Sequence, residues 1–412
     1  MIADSQSKWL LRFMAPVAAL TPALTCVSPR IMGTFFIAFG LIGMIADSIQ
    51  HKRWPFIDTT LGKVLLAALI WGALSLTWSI APDDSMSKVG QLTGVFLSLA
   101  FLAAKVNTFT VKDLDFLGRM LLIGACAGTA VYYFEWFSNF WLYDLTHGPN
   151  TDIEDIKQNK VIVMLGIWVS LCFPYVFAAR QKPLYALYGA LVAAIVFATQ
   201  ASPSNSAIIV MAGLPIVIAA AIFIPWRKFM IGACVTIMLV MSFGMLPGSR
   251  YIAVYHPETY KNLSIRSSIK ARLEMWDQAS RRILERPILG WGLNSSPSLP
   301  NRGEVQVSID DADPLSDDRV PIAHLHPHNA PLQIWFELGL IGMLFYSGVL
   351  VVIGKGLRHV TSRAGYAFGF VVFVQTFLYT LSIWGIWQTW FVSLLCFAGV
   401  MARAGVRRLD LR

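Results

Sequence analysis

Residues 161–179, VIVMLGIWVSLCFPYVFAA, run for nineteen residues without a charged side chain. A helix of that length rises about 28 Å, close to the ~30 Å hydrocarbon core of a bilayer. The run is apolar all round, whereas a core helix of a soluble protein keeps a polar face. Outward from it, comparable runs recur near 10–28, 31–48, 61–80, 89–105, 117–138, 184–200, 206–224, 228–246, 333–354, 364–382 and 385–402. The expected fold is therefore all-α, a polytopic membrane protein with about twelve transmembrane helices. Composition agrees. Of 412 residues, 56% are hydrophobic and 14% charged, where soluble domains run near a quarter charged. The cysteines Cys26, Cys126, Cys172, Cys234 and Cys396 sit inside apolar runs with no pairing pattern. They read as small apolar fillers, not as a disulfide or metal framework.

Charge then orients the chain. Alternate connections carry Lys8, Arg12, Lys52, Arg53, Lys105, Lys112, Arg180, Lys182, Arg227, Lys228, Lys355, Arg358 and Arg363, and the tail adds Arg403, Arg407, Arg408 and Arg412. The opposite short connections hold only Arg30, Lys88, Lys157 and Lys160, beside Asp83, Asp84, Asp152, Glu154 and Asp155. This asymmetry predicts that both termini are cytoplasmic. The net charge of +9 thus reports topology and not nucleic-acid binding. The first run lacks a small-residue cleavage site, so it reads as a span and not a signal peptide. Three regions follow: nine spans in 1–246, a large non-cytoplasmic loop over 247–332, and three spans with a cytoplasmic tail in 333–412. A structureless loop of that length is unusual unless it has a task.

Within the loop, 265–286 reads as an amphipathic helix. Ile265, Ile269, Leu273, Trp276 and Ile283 share one stripe, while Arg266, Lys270, Asp277 and Arg281 lie opposite. Arg272 breaks the pattern, falling within about 40° of Trp276 and so on the apolar face. It either snorkels, its stem packed and its head at the interface, or faces a cavity that holds an anion. Downstream, His324, His326 and His328 alternate around Pro327 just before the tenth span. In a strand they would share a face and suit zinc or copper, but no carboxylate or cysteine completes a set. A structural interfacial histidine is one alternative; a general base or substrate contact at membrane depth is the other. Glu337, farther along that span, needs a partner or a cavity. The run Asp310, Asp311, Asp313, Asp317 and Asp318 lacks calcium-loop spacing and reads as solvated.

The stretch Arg272-Leu273-Glu274-Met275-Trp276, then Ala279, Pro287-Ile288-Leu289-Gly290-Trp291-Gly292, His328-Asn329, Leu332-Gln333, Glu337-Leu338-Gly339 and Gly342, resembles the O-antigen ligase and O-antigen polymerase superfamily over roughly 150–350. The resemblance implies a membrane glycosyltransferase using undecaprenyl diphosphate-linked glycans, with a large periplasmic loop between the ninth and tenth spans. It implies a catalytic pair, Arg272 on the donor diphosphate and His328 at the acceptor hydroxyl, with no metal or other cofactor. The acceptor would be lipid A–core for a ligase or a second lipid-linked glycan for a polymerase. One departure stands out: Asn205 occupies a turn where family members often place an arginine. Arg266, Lys270 and Arg281 then remain as donor contacts, and Asn205, His326, Asn329 and Glu337 as further substrate contacts. Gln158-Asn159-Lys160 also resembles a family stretch that lines the same cavity. The alternatives are a surface-polysaccharide polymerase and, more remotely, a lipid-linked sugar transporter. Few charges in the spans and no inverted repeat argue against transport.

Overall fold

The computed structural model describes residues 2–51, 59–147, 154–201, 205–255, 267–298, 306–308, 319–321, 326–382 and 384–411. These are almost wholly helical, as the hydropathy predicted. In order come α1 (Ile2–Val27), α2 (Ile31–His51), α3 (Thr60–Leu74), α4 (Pro82–Val106), α5 (Val111–Phe137), the short α6 (Trp141–His147), α7 (Glu154–Ala179), α8 (Lys182–Ala201), α9 (Asn205–Phe223) and α10 (Arg227–Tyr255). Then follow α11 (Ser267–Glu285), α12 (Ala330–Leu357), α13 (Arg363–Ser382) and α14 (Thr389–Asp410). Strands β1 (Gln306–Ser308) and β2 (Arg319–Pro321) form a small antiparallel pair with Val307 opposite Val320. Among the described residues ten helices are long and apolar enough to cross a bilayer, and Met14–Val27 and Ala207–Phe223 are shorter apolar stretches. The protein is a multi-pass membrane protein.

Two packed cores organise the bundle. The larger joins α1, α2, α4, α5, α7, α8 and α14 around the fully buried Trp168. Its ring stacks on Phe397 at 4.5 Å, and its indole N–H donates to the Ala18 carbonyl at 3.2 Å. The smaller core joins α9, α10, α12 and α13 through Ile231, Leu350, Phe370 and Phe377. Outward-facing Ile209, Ile216, Ile237 and Val240 present apolar side chains where lipid would lie. At one end, Arg408 pairs with Asp115 at 2.6 Å and Lys105 with Asp47.

One expected span is broken. The 333–354 run reads as a continuous helix, yet α12 starts at Ala330 and loses helical geometry at Gly339 (φ 67°, ψ −167°). The cause is a returning chain. A side chain at Gly339 would lie 2.0 Å from the Ile288 carbonyl oxygen, so only glycine admits the contact. The backbone groups freed by the break are satisfied by that same segment. The Trp291 and Gly292 N–H groups donate to the Phe336 and Glu337 carbonyls at 3.0 and 2.8 Å, and Leu340 N–H donates to Pro287 at 2.9 Å. Non-helical backbone at membrane depth survives only with such partners. Residues 287–296 therefore belong to the helical bundle and not to an outlying loop. Likewise α10 runs on to Tyr255, beyond the expected end near 246.

Candidate functional site

Helix α11 is the amphipathic helix expected in the large connection. Its Ile283 is fully buried against Leu332 and Phe336, and its Ser280 hydroxyl lies 2.6 Å from that of Ser249 on α10. Trp276 then makes the contact that matters most. Its indole N–H donates to the Pro327 carbonyl at 2.8 Å, fastening α11 to the histidine segment. Arg272 stands one turn back on the same face, half-buried, and burial pulls its guanidinium below the ordinary value. A guanidinium remains a cation regardless. Arg281, by contrast, is 61% exposed and holds Asp277 at 2.9 Å, which also takes Arg250 at 2.7 Å. Lys270 lies in the first turn of α11 and Asn205 opens α9, their side chains outside the described residues, as are Arg266, His324 and the acidic run at 310–318.

Two residues expected to touch substrate are used by the fold instead. Asn329 is fully buried and caps α12: its side-chain oxygen accepts from Leu332 N–H at 3.1 Å, and its amide donates to the Leu381 carbonyl at 3.1 Å. Such a cap satisfies a donor that the helix start leaves unpaired. Glu337 is also fully buried. One carboxylate oxygen accepts from Ser296 and from Gln333 at 3.0 Å; the other accepts from Asn294 N–H and from the Trp387 indole at 2.5 Å. Four donors and no acceptor around it match an ionised, acceptor-only carboxylate. Gln333 extends the knot by accepting from Ile386 N–H at 2.9 Å. Glu337 thus ties the returning segment, α12 and the 384–388 turn together, with no oxygen left over for a sugar.

The histidine segment lies against that knot. His328 adopts the left-handed conformation (φ 48°), and its ring centroid is 5.1 Å from that of His326. His326 packs where a side chain at Gly385 would stand, and its Nε2 lies 2.7 Å from Gln388 Nε2. Burial, and then the charge of Lys160, push His326 down to about 4. Lys160, at the start of α7, sits 6.0 Å from the Trp384 ring and 5.9 Å from that of Trp390. Arg30, between α1 and α2, lies within Coulomb range of Lys160. Lys88 on α4 donates to Gln91 at 2.8 Å, and Gln91 also accepts from Thr389, beside Gln388. Among the described residues no three His, Cys, Asp or Glu side chains cluster as metal ligands would.

Of the four bases on the base-poor connections, Lys160 therefore stands beside His326, Arg30 lies in range of Lys160, and Lys88 reaches Gln91, which Thr389 also meets. Sequence reading counted them only toward topology, apart from the Gln158-Asn159-Lys160 likeness. Their rarity on that side was the signal. Gln91, Gln388 and the two tryptophans carried none, since amides and indoles are ordinary at helix ends.

Residues 189–347 match the O-antigen ligase family model. Over that stretch the chain is similar to O-antigen ligases. The match runs from α8 into α12 and takes in Arg272, His326 and His328. Over nearly the whole chain, relatives agree with it. A candidate polysaccharide ligase of Rickettsia conorii is 22% identical, covering 88% of this chain and 84% of its own length. Those of Rickettsia typhi and Rickettsia prowazekii are 22% and 23% identical, each covering 80% of this chain and 77% of the relative. The resemblance read from the Arg272 and His328 motifs holds, and it marks an enzyme family. The O-antigen ligase-like segment leaves out Arg30, Lys88, Lys160 and Gln388, which the fold brings to it from outside.

Proposed function

We propose that this protein is a metal-independent glycosyltransferase of the bacterial inner membrane. It moves a glycan from undecaprenyl diphosphate to a lipid A–core acceptor on the periplasmic side. The observation that carries this reading is the Trp276–Pro327 hydrogen bond, which holds the face of α11 bearing Arg272 against the segment bearing His328. In the reaction the acceptor hydroxyl oxygen bonds to the anomeric carbon as the bond to the carrier diphosphate breaks. His328 takes the hydroxyl proton, and Arg272 receives the charge that grows on the diphosphate. A fixed cation does this without reorganising, so no metal is required for it. Burial of Arg272 strengthens the attraction by excluding water.

The helix ends support the orientation read from charge. Helices α4, α12 and α14 carry basic residues in their last turns, Lys105, Lys355 and Arg407, at the ends away from Gln91, His328 and Gln388. With those ends cytoplasmic, both termini are cytoplasmic and the site is periplasmic. The polymerase reading uses the same residues with a second lipid-linked glycan as acceptor.

Purified protein in proteoliposomes, given undecaprenyl diphosphate-linked glycan and lipid A–core, is the test. Glycan-bearing core on a gel is expected, falling about 100-fold or more in Arg272→Ala and in His328→Ala. Long lipid-linked chains formed without core would establish the polymerase instead. Full transfer by His328→Ala would remove its role.

A further inference from the structure

The two histidines are 5.1 Å apart, and their hydrogen bonds set them to different tasks. The Trp390 indole, which can only donate, lies 2.7 Å from Gln388 Oε1. That contact fixes which end of the Gln388 amide is oxygen. The other end, Nε2, is then an N–H₂ donor, and it stands 2.7 Å from His326 Nε2. A donor facing a ring nitrogen requires that nitrogen to be the unprotonated acceptor. His326 is therefore neutral, with its single proton on Nδ1.

We propose that Gln388 is a positioning residue for the transfer reaction: it holds His326 as a neutral Nδ1–H imidazole, so that His328 alone takes up the proton. The inference rests on the reading of His328 as the base. Its physical content is electrostatic. Lys160 already acts on His326, with Arg30 in Coulomb range of Lys160, Arg272 is on the adjoining helix, and Glu337 has its lone pairs committed. A second imidazolium beside His328 would oppose protonation of the base at the moment the acceptor hydroxyl releases its proton. The fixed amide prevents that, and the charge of Lys160 acts in the same sense. Gly385 is part of the device, because any side chain there would displace the His326 ring.

Histidine-selective ¹⁵N NMR of the full chain in lipid nanodiscs, with His326 assigned from the His326→Gln variant, tests this without an activity assay. The expected spectrum shows Nδ1 protonated, Nε2 unprotonated and no titration of His326 between pH 5.5 and 7.5. A proton on Nε2, or titration in that window, overturns the proposal even if the protein transfers glycan. In Gln388→Glu the new carboxylate calls for a proton on Nε2, so His326 should become doubly protonated at neutral pH. The pH optimum of turnover should then move downward by about a unit, as the added imidazolium lowers the proton affinity of His328 and frees the base at more acidic pH. An unmoved profile with a doubly protonated His326 would sever the link to His328. His326→Gln, which presents an oxygen where Nε2 stood, should recover most of the turnover that His326→Ala loses; equal losses would overturn the positioning role. If the nanodisc spectrum is as expected but no variant or wild-type protein transfers glycan, the fault lies with the proposed reaction and not with the histidine assignment.

Discussion

Helices α7 and α10 contain stretches of the same mean hydropathy, yet 72% of the residues in that of α7 are buried inside the protein and 22% of those in α10. One is the central pillar of the larger core; the other turns most of its surface to lipid. Hydropathy cannot separate them, because lipid tails and a protein interior are equally apolar. What separates them is close approach by neighbours. Gly118 of α5 and Gly405 of α14 let those helices reach Tyr175 and Pro174 of α7, where a side chain would come within 2.5 and 2.6 Å. Gly244 and Gly248 of α10 face open space. The outer ends differ in kind as well. The start of α7 places Lys160 beside the histidines, while α10 leads toward α11 and Arg272.

The largest expected effect tests that asymmetry directly. Gly405→Leu or Gly118→Leu should remove folded protein from detergent extracts, and Gly244→Leu should leave its yield unchanged; size-exclusion profiles decide. Loss of Gly244→Leu would mean that another protein surface covers α10. Next, Trp168→Ala should cost on the order of 3 kcal/mol of stability, from lost packing and a lost indole hydrogen bond. Val240→Ala, 65% exposed, should stay within about 0.5 kcal/mol. Thermal unfolding in one lipid composition measures both.

A smaller effect separates the outer ends. His326 has a depressed value of about 4 against 6.5 ordinarily, so the unfolded chain binds its proton first as pH falls. Stability from this group is complete above pH 6.5 and drains away down to about 4. Unfolding temperature should fall over that window in wild type and less steeply in His326→Gln. The smallest pair concerns charge. Lys160→Ala should slow transfer about 10-fold, through lost potential at the site. Arg281→Ala, whose partner Asp277 keeps Arg250, should change it less than twofold. Equal effects would show that both ends bear on the site alike.

Several site features were legible in the chain and others were not, for identifiable reasons. Arg272 was visible because a cation on the apolar stripe of an amphipathic helix violates its own local pattern. Glu337 drew attention for a similar reason, a charge within an apolar run, and Asn329 through the family resemblance, but their partners were hidden. Asn294 and Ser296 are 43 and 41 residues from Glu337, and Trp387 is 50. Gly290 and Gly292 follow Pro287 just past α11, where glycine ordinarily marks a helix stop. Their positive φ values of 72° and 104° instead serve contact with Glu337 and Ser79 across the bundle.

The sequence by itself determined that this chain lives in a membrane, roughly where its helices begin and end, and that an amphipathic helix carries Arg272. Those follow from transfer of each segment out of water, a quantity each segment carries alone. Only the tertiary structure decided which equally apolar helix forms the pillar and that α12 breaks at Gly339. It alone showed that Gln388 meets His326 across 62 residues. These depend on close packing and hydrogen-bond partners between distant segments, and no single segment contains both halves of such a contact.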